Sequence, residues 1–293
     1  MKILITGGSG YLGSTLARKF VGAGNEVCLL LRPGSSMRRL KGLEAVISAN
    51  YFSDDERVNS FVQRIKPEVV IHTACSYGRN GESCVQLVDS NIRLGVVVAD
   101  SLLHTGHPVT IINAGTCLSP TVSMYALSKF QFAQWGRAIA TQAGSAVRFV
   151  DILLQHYYGP GNGPTNFISH VISSCRNNVP SLELTEGTQE RDFIYIQDVV
   201  SAVAMIAERH SQLESVATFE VGSGTSSTIR HTVETIHRLT HSTTQLRFGV
   251  INYRTNEPML CRANLDAISQ LGWKPTYDLE TGLQETLALE IKE

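Results

Sequence analysis

Tyr125 and Lys129 stand four residues apart in the stretch GTCLSPTVSMYALSK, residues 115–129. On a helix that spacing puts both side chains on one face. An ammonium beside a phenol favours the phenolate and lowers the tyrosine pKa toward neutrality. A tyrosine tuned in this way donates a proton to a carbonyl oxygen, or takes one from an alcohol, near physiological pH. Thr116 follows the apolar run PVTIINAG, and its hydroxyl is placed to hydrogen-bond the same oxygen. The lysine has a second use, holding the ribose of a cofactor. The spacing alone recurs by chance, so its meaning depends on the elements that position it.

Those elements read as a doubly wound parallel sheet. Residues 2–6, 26–31, 45–48, 68–73 and 108–113 are short apolar runs expected to be strands, and helices are expected to begin near residues 11, 54, 83 and 125. Near-continuous apolar strands joined by helices call for a parallel sheet covered on both faces, with right-handed crossovers. Thr116 then falls at the carboxyl end of the fifth strand, where such sheets bind ligands. The expected organisation is an α/β, Rossmann-like lobe over residues 1–154, with sheet contributions from about 191–225. A smaller substrate-binding lobe is expected over 155–293, interleaved with the first in one structural unit. In that lobe residues 157–164 read as a loop, and 167–178, 198–209, 228–240 and 264 onward as helices.

The first strand runs into TGGSGYLG, residues 6–13. Gly7 makes a tight turn, Gly10 lets the backbone approach a pyrophosphate, and Gly13 lets helix and strand pack closely. The helix N-terminus adds unpaired N–H groups and partial positive charge for the phosphates. Cofactors without a 2′-phosphate are usually held by an acid at the end of the second strand. Here that strand ends in Arg32, followed by Pro33, Gly34, Ser35 and Ser36. A guanidinium pairs bidentately with a 2′-phosphate and the serines add hydrogen bonds, so the expected cofactor is NADPH. A solvated loop arginine is the alternative reading of Arg32.

Composition narrows the classes further. The 293 residues are 43% hydrophobic and 17% charged, with a net charge of −1. That balance gives no basic excess for nucleic acid, and the cluster Arg38, Arg39 and Lys41 is short enough to have a local explanation. No run of about 18 apolar residues is present to span a membrane. The N-terminal MKILITGGSG does not read as a signal peptide. Six scattered cysteines without a CxxC spacing suggest reduced thiols in a cytoplasmic protein, with no disulfide framework and no metal site.

TGGSGYLG, the Tyr125–Lys129 pair, YYGPGNG (157–163), RDFIYIQDVV (191–200) and LGWKP (271–275) together resemble the extended short-chain dehydrogenase/reductase family of nucleotide-sugar epimerases, dehydratases and reductases. The resemblance covers nearly the whole chain, in family order. It implies a nicotinamide-binding lobe, a nucleotide-sugar lobe, and a homodimer formed through the helices after strands four and five. It also implies that Tyr11, Leu12, Ala74 and Asn91 join the glycines, Arg32, Ser35, Ser36, Tyr125 and Lys129 around the cofactor.

Within the family, ACSYGRNGE (74–82), GTQERDFIYIQDVV (187–200) and VGSGTSSTIR (221–230) resemble the reductases that act with NADPH on the 4-keto group of CDP-3,6-dideoxy sugars, in deoxysugar biosynthesis of the O-antigen type. The resemblance makes Arg191 and Arg254 the arginines that neutralise the substrate diphosphate, although Arg191 could instead pair with Glu190 or Asp192 at the surface. His156 and Asn166 would face the nucleotide sugar, and Tyr77 and Arg79 would lie between nicotinamide and sugar. Family dehydratases carry an Asp–Glu pair directly after the threonine. Cys117 and Leu118 stand there in this chain, which argues against dehydration. Cys117 and His170 also match an epimerase–reductase branch of the family, in which a thiolate and an imidazole exchange protons next to the carbonyl. Their alternative reading is a small buried filler and an ordinary helix residue. A redox-sensing binding protein that does no chemistry would not be expected to keep the tyrosine–lysine pair.

Overall fold

The computed structural model describes residues 1–290; the last three residues of the expected C-terminal lobe, 291–293, lie outside them. In chain order the first half is β1 (Lys2–Thr6), α1 (Tyr11–Gly22), β2 (Glu26–Leu31), β3 (Ile47–Tyr51), α2 (Asp55–Ile65), β4 (Val69–His72), α3 (Cys84–Val88), α4 (Leu94–Leu103), β5 (Val109–Ala114), α5 (Met124–Ala140) and β6 (Val147–Leu154). A π-helical turn, Asp89–Arg93, makes α3 and α4 continuous. There follow β7 (His156–Tyr158), α6 (Phe167–Arg176), β8 (Ser181–Glu183), β9 (Glu190–Arg191), β10 (Phe193–Tyr195), α7 (Ile196–Glu208), β11 (Val216–Val221), β12 (Ser227–Thr228), α8 (Ile229–Leu239), β13 (Gln245–Arg247), β14 (Leu260–Cys261), α9 (Asp266–Gln270) and α10 (Leu279–Glu290).

The chain divides into two units, Met1–Leu153 with Val200–Phe219, and Leu154–Val199 with the residues from Glu220 onward. The first is built on a seven-stranded sheet in the order β11-β6-β5-β4-β1-β2-β3. Its fully buried strands, such as ILI in β1 and VVI in β4, are apolar on both faces because helices cover both. Each buried Leu, Ile or Val removed from water contributes about 1.5–3 kcal/mol. One cluster joins Leu4, Leu30, Val70 and Ile111 of the sheet to Val98, Leu102, Phe132 and Ala133 of α4 and α5. Helix α5 lies very close to this layer. A Cβ on Gly136 would come within 2.0 Å of the Phe149 ring, and one on Gly95 of α4 within 2.3 Å of the Phe132 ring.

Two strand expectations differ from the structure. The third strand starts at Ile47 and runs to Tyr51, because Leu43–Val46 closes a turn in which the Val46 amide donates to the Leu43 carbonyl. β6 was not apparent as a separate strand. Among the described residues the second unit holds only short strands: β7 beside β10, β12 and β14 on either side of β9, and β8 beside β13. Asp192 organises this unit. Its carboxylate accepts from the backbone amides of Ser223, Gly224 and Ala263 and from the Ser223 hydroxyl, at 2.7–3.1 Å.

Candidate functional site

The glycine turn has the form expected of it. Gly7 adopts φ +69° and packs so tightly that a Cβ would stand 2.6 Å from the Ala74 amide nitrogen. At Gly13 a Cβ would meet the Gly7 carbonyl at 2.4 Å and the Thr73 hydroxyl at 2.8 Å. Gly10 is different: among the described residues a Cβ there would meet only the Gly7 carbonyl, at 3.2 Å, which leaves room beside it for a ligand. Gly10 is also the N-cap of α1, with no side-chain cap and no acid in the first turn. The helix therefore offers its N–H groups and dipole to an anion. Tyr11 and Leu12 begin that helix, and the Arg39 guanidinium lies 5.5 Å from the Tyr11 ring centre. Arg18 donates to the backbone carbonyls of Arg39 and Lys41. Arg32 is exposed just past β2, where the Ser35 amide donates to the Arg32 carbonyl at 3.1 Å and closes a turn.

Ser123 caps α5 by accepting from the Ala126 amide at 3.1 Å, which starts the helix one residue before Tyr125. Tyr125 is half-buried, and Lys129, one turn on, is 2% exposed. The Lys129 Nζ has no hydrogen-bond partner among the described residues. Burial pushes its ammonium down, and Cys75 and Asp151 oppose that shift. Thr116 lies just past β5, and its hydroxyl accepts from the Leu118 amide at 3.3 Å. An orphaned buried ammonium, an open-sided Gly10 and an uncapped helix N-terminus fit a nicotinamide dinucleotide. Gly7, Gly10 and the α1 terminus would hold its pyrophosphate, and Lys129 its ribose.

The loop after β4 reaches the same face. The Tyr77 ring lies 4.8 Å from the Tyr125 ring, and the Arg79 guanidinium 5.3 Å from the Tyr77 ring. Two residues hold this loop in a way the sequence did not suggest. Glu82 accepts from the Ser76 hydroxyl and the Asn80 amide, both at 2.7 Å, and these bonds hold its carboxyl down at about 2. Asn91 is fully buried in the π-helical turn. It accepts from the Ser76 amide at 2.6 Å and donates to the Ser76 carbonyl and the Ser128 hydroxyl. Ala74, beside Gly7, begins the same loop.

In the second unit Arg191 is 5% exposed and sits on β9. Its guanidinium is ion-paired with Glu257 and donates to the Glu190 carbonyl. The surface pairing with Glu190 or Asp192 side chains is therefore not what the structure contains, and Asp192 is committed to the amides named above. Arg254 is exposed, and its carbonyl accepts from the Glu257 amide. His156 lies on β7, its ring 6.0 Å from Phe193. Asn166 is the N-cap of α6, accepting from the Ile168 amide at 3.0 Å. His170 is exposed on that helix and belongs to the second unit, whereas Cys117 is half-buried in the first.

CDP-abequose synthase of Salmonella typhimurium is 25% identical to this chain over 97% of each protein. The protein of that name from Salmonella muenchen is 26% identical over 99% of this chain and 98% of its own. Among solved structures, UDP-glucose 4-epimerase of Thermotoga maritima in complex with UDP-glucose shares the fold, with a TM-score of 0.86 at 20% identity, over 100% of this chain and 99% of that one. The profile of the NAD dependent epimerase/dehydratase family matches residues 3–222. That span carries the glycine turn, the threonine and the tyrosine–lysine pair in order along one parallel sheet, and on this match the chain belongs to the NAD dependent epimerase/dehydratase family.

Proposed function

We propose that this protein uses NADPH to reduce the C4 keto group of a nucleotide-linked 4-keto-deoxyhexose, the substrate being a CDP-4-keto-3,6-dideoxyhexose. The family makes it a nucleotide-sugar-modifying enzyme that works with NAD(P). The observation that carries the narrower reading is the sequence Thr116-Cys117-Leu118 at the end of β5, ahead of an intact Tyr125–Lys129 pair. Thr116 and Tyr125 remain to polarise and protonate a carbonyl oxygen, while no carboxyl follows the threonine to expel water. The stretches that resemble CDP-paratose synthase and CDP-abequose synthase, and the Salmonella relatives, support CDP as the nucleotide.

Bound NADPH supplies the hydride. Tyr125 donates its phenolic proton to the C4 oxygen as that oxygen gains charge, and Thr116 hydrogen-bonds the same atom. Lys129 favours the phenolate left behind and holds the ribose. Arg191 and Arg254 bind the diphosphate, and His156 and Asn166 face the sugar nucleotide. Arg32, Ser35 and Ser36 select the 2′-phosphate. The working form is a cytoplasmic homodimer.

Incubating the protein with CDP-, dTDP-, UDP- and GDP-4-keto sugars and following NADPH absorbance tests the reading. Oxidation with the CDP sugar alone is expected, and none with any sugar overturns it. A second reading, an epimerase or epimerase–reductase using Cys117 and His170, has in its favour the half-exposed thiol next to Thr116.

A further inference from the structure

The cation that the proposed function gives to the substrate diphosphate already holds an anion. The Arg191 guanidinium is ion-paired with Glu257, 66 residues on in the chain, and donates to the Glu190 carbonyl at 2.8 Å. The nearer acids are engaged elsewhere. The Glu190 carboxylate accepts from the Ser226 hydroxyl, and that of Asp192 from the amides of Ser223, Gly224 and Ala263. The Arg191 side chain is 6% exposed and that of Glu257 22%. A guanidinium so nearly buried needs an anion, because an unpaired buried charge is strongly destabilising. In the ligand-free protein Glu257 meets that need with a single carboxylate.

Glu257 reaches Arg191 from a turn that also carries the second cation. The Glu257 amide donates to the Arg254 carbonyl at 3.1 Å and closes a four-residue turn, with Asn256 in the left-handed region at φ +61°. Asparagine is one of the few side chains that tolerate that conformation. Pro258 follows, and a residue before proline is confined to extended backbone. The next residues tie the turn to the strand that carries Arg191: the Glu190 amide donates to the Met259 carbonyl at 2.8 Å, and Leu260 and Cys261 of β14 pair with Glu190 and Arg191 of β9. The backbone of Glu257 is thus fixed on both sides, and its carboxylate leaves Arg191 by turning about its side-chain bonds. Arg254 is exposed and sits across the same turn, so a released carboxylate has a cation within reach.

We propose that Glu257 is a charge filter for the diphosphate site: it occupies Arg191 in place of the ligand, and a ligand enters by displacing its carboxylate. A single phosphate brings little more charge than the carboxylate it must replace. A diphosphate brings a second phosphate for Arg254 to take, so the exchange favours it. The pair therefore selects a diphosphate over a monophosphate, whatever base or sugar is attached. This rests on Arg191 binding the substrate diphosphate and is independent of the nucleotide's identity.

The test titrates the parent and its variants with inorganic pyrophosphate, inorganic phosphate and CDP by calorimetry. Binding that survives in Arg191→Gln belongs to other sites, the α1 cradle among them, and is subtracted. Glu257→Gln keeps an acceptor for Arg191 and removes the competing charge. It should bind pyrophosphate and CDP about tenfold more tightly, and should narrow the preference for pyrophosphate over phosphate. A pair that only holds Arg191 in place predicts the reverse, since loosening the guanidinium would weaken every anion. Unchanged, weaker or absent binding of pyrophosphate and CDP in folded Glu257→Gln overturns the proposal. If that variant does not fold, Glu257→Asp draws the carboxylate back by one carbon and should also tighten pyrophosphate; binding no tighter than the parent's then overturns it. Tighter binding in a protein that reduces no nucleotide sugar leaves the filter standing and refutes the proposed function. Reduction of the CDP sugar with unmoved anion binding does the opposite, so the two fail separately.

Discussion

Tyr125→Phe removes a hydroxyl and keeps a ring packed 4.8 Å from Tyr77. Fold and cofactor affinity should survive while turnover falls by roughly 100-fold or more; if most turnover remained, another group would be the acid. Lys129→Met should lose turnover and cofactor affinity together, because one ammonium serves both. Cys117 decides between reduction and epimerisation. Product formed in heavy water from unlabelled NADPH should carry no deuterium at C3 or C5, and Cys117→Ser should leave its configuration unchanged. Solvent deuterium at either carbon before NADPH is added, abolished by Cys117→Ser, would make the enzyme an epimerase. His72 gives a stability test. Its ordinary value is 6.5 and its folded value about 3, so the unfolded chain takes up a proton that the folded protein refuses. The contribution is complete above pH 6.5 and is lost as pH falls from there toward 3, by up to a few kcal/mol. His72→Gln should flatten that acid limb of the urea midpoint plotted against pH. Tyr125, Lys129 and Thr116 stood out in the sequence by spacing and position, and the structure puts the first two one turn apart on α5 and Thr116 just past β5. Glu257 did not, since its partner Arg191 is 66 residues away, nor did Glu82, whose partners lie in an irregular loop; Asn91 was expected at the cofactor, whereas its side chain is spent on Ser76 and Ser128.

At the scale of an element, the proposed function gives the turn after β2 the choice of cofactor. The parent protein should bind NADPH more tightly than NADH, and Arg32→Asp should reverse the order by removing a cation and adding repulsion to the 2′-phosphate. Equal affinities in the parent, measured by titration, would end the assignment. The elements of the first half were readable where local signals agree. Asp54, Ser83 and Ser123 each cap a helix close to its expected start, and β1, β2, β4 and β5 fall within one residue of expectation or match it. β3 was displaced because its apolar lead-in is spent on a turn, leaving a half-exposed strand. β6 was hidden by its own chemistry: VRFVDILL carries Arg148 and Asp151, and charges inside a run argue against a strand buried on both faces. The two- and three-residue strands of the second unit are too short for any period to register.

The whole molecule displays an apolar stripe on its first unit. Val85 and Val88 of α3 and Met124, Leu127, Phe130 and Trp135 of α5 are exposed, and α3 packs beside α5. An apolar face of this kind is suited to a second copy of the chain. Light scattering should give about twice the 32.1 kDa chain mass, and Trp135→Glu should shift the protein toward monomer; a monomeric parent would refute the dimer. Among the described residues no helix is long and apolar enough to cross a membrane. The sheet itself closes late in the chain. Its outermost strand beside β6 is β11, residues 216–221, and the Phe149 amide already bonds the Ser215 carbonyl at 2.9 Å. A ribosome delivers β6 long before its neighbour, so the nascent sheet waits with an open edge while the intervening residues are made. Until Val216 emerges, that edge presents unpaired N–H and C=O groups to any passing strand. A message cut short before that codon therefore yields a sticky fragment for chaperones and proteases, and not a free-standing cofactor-binding half.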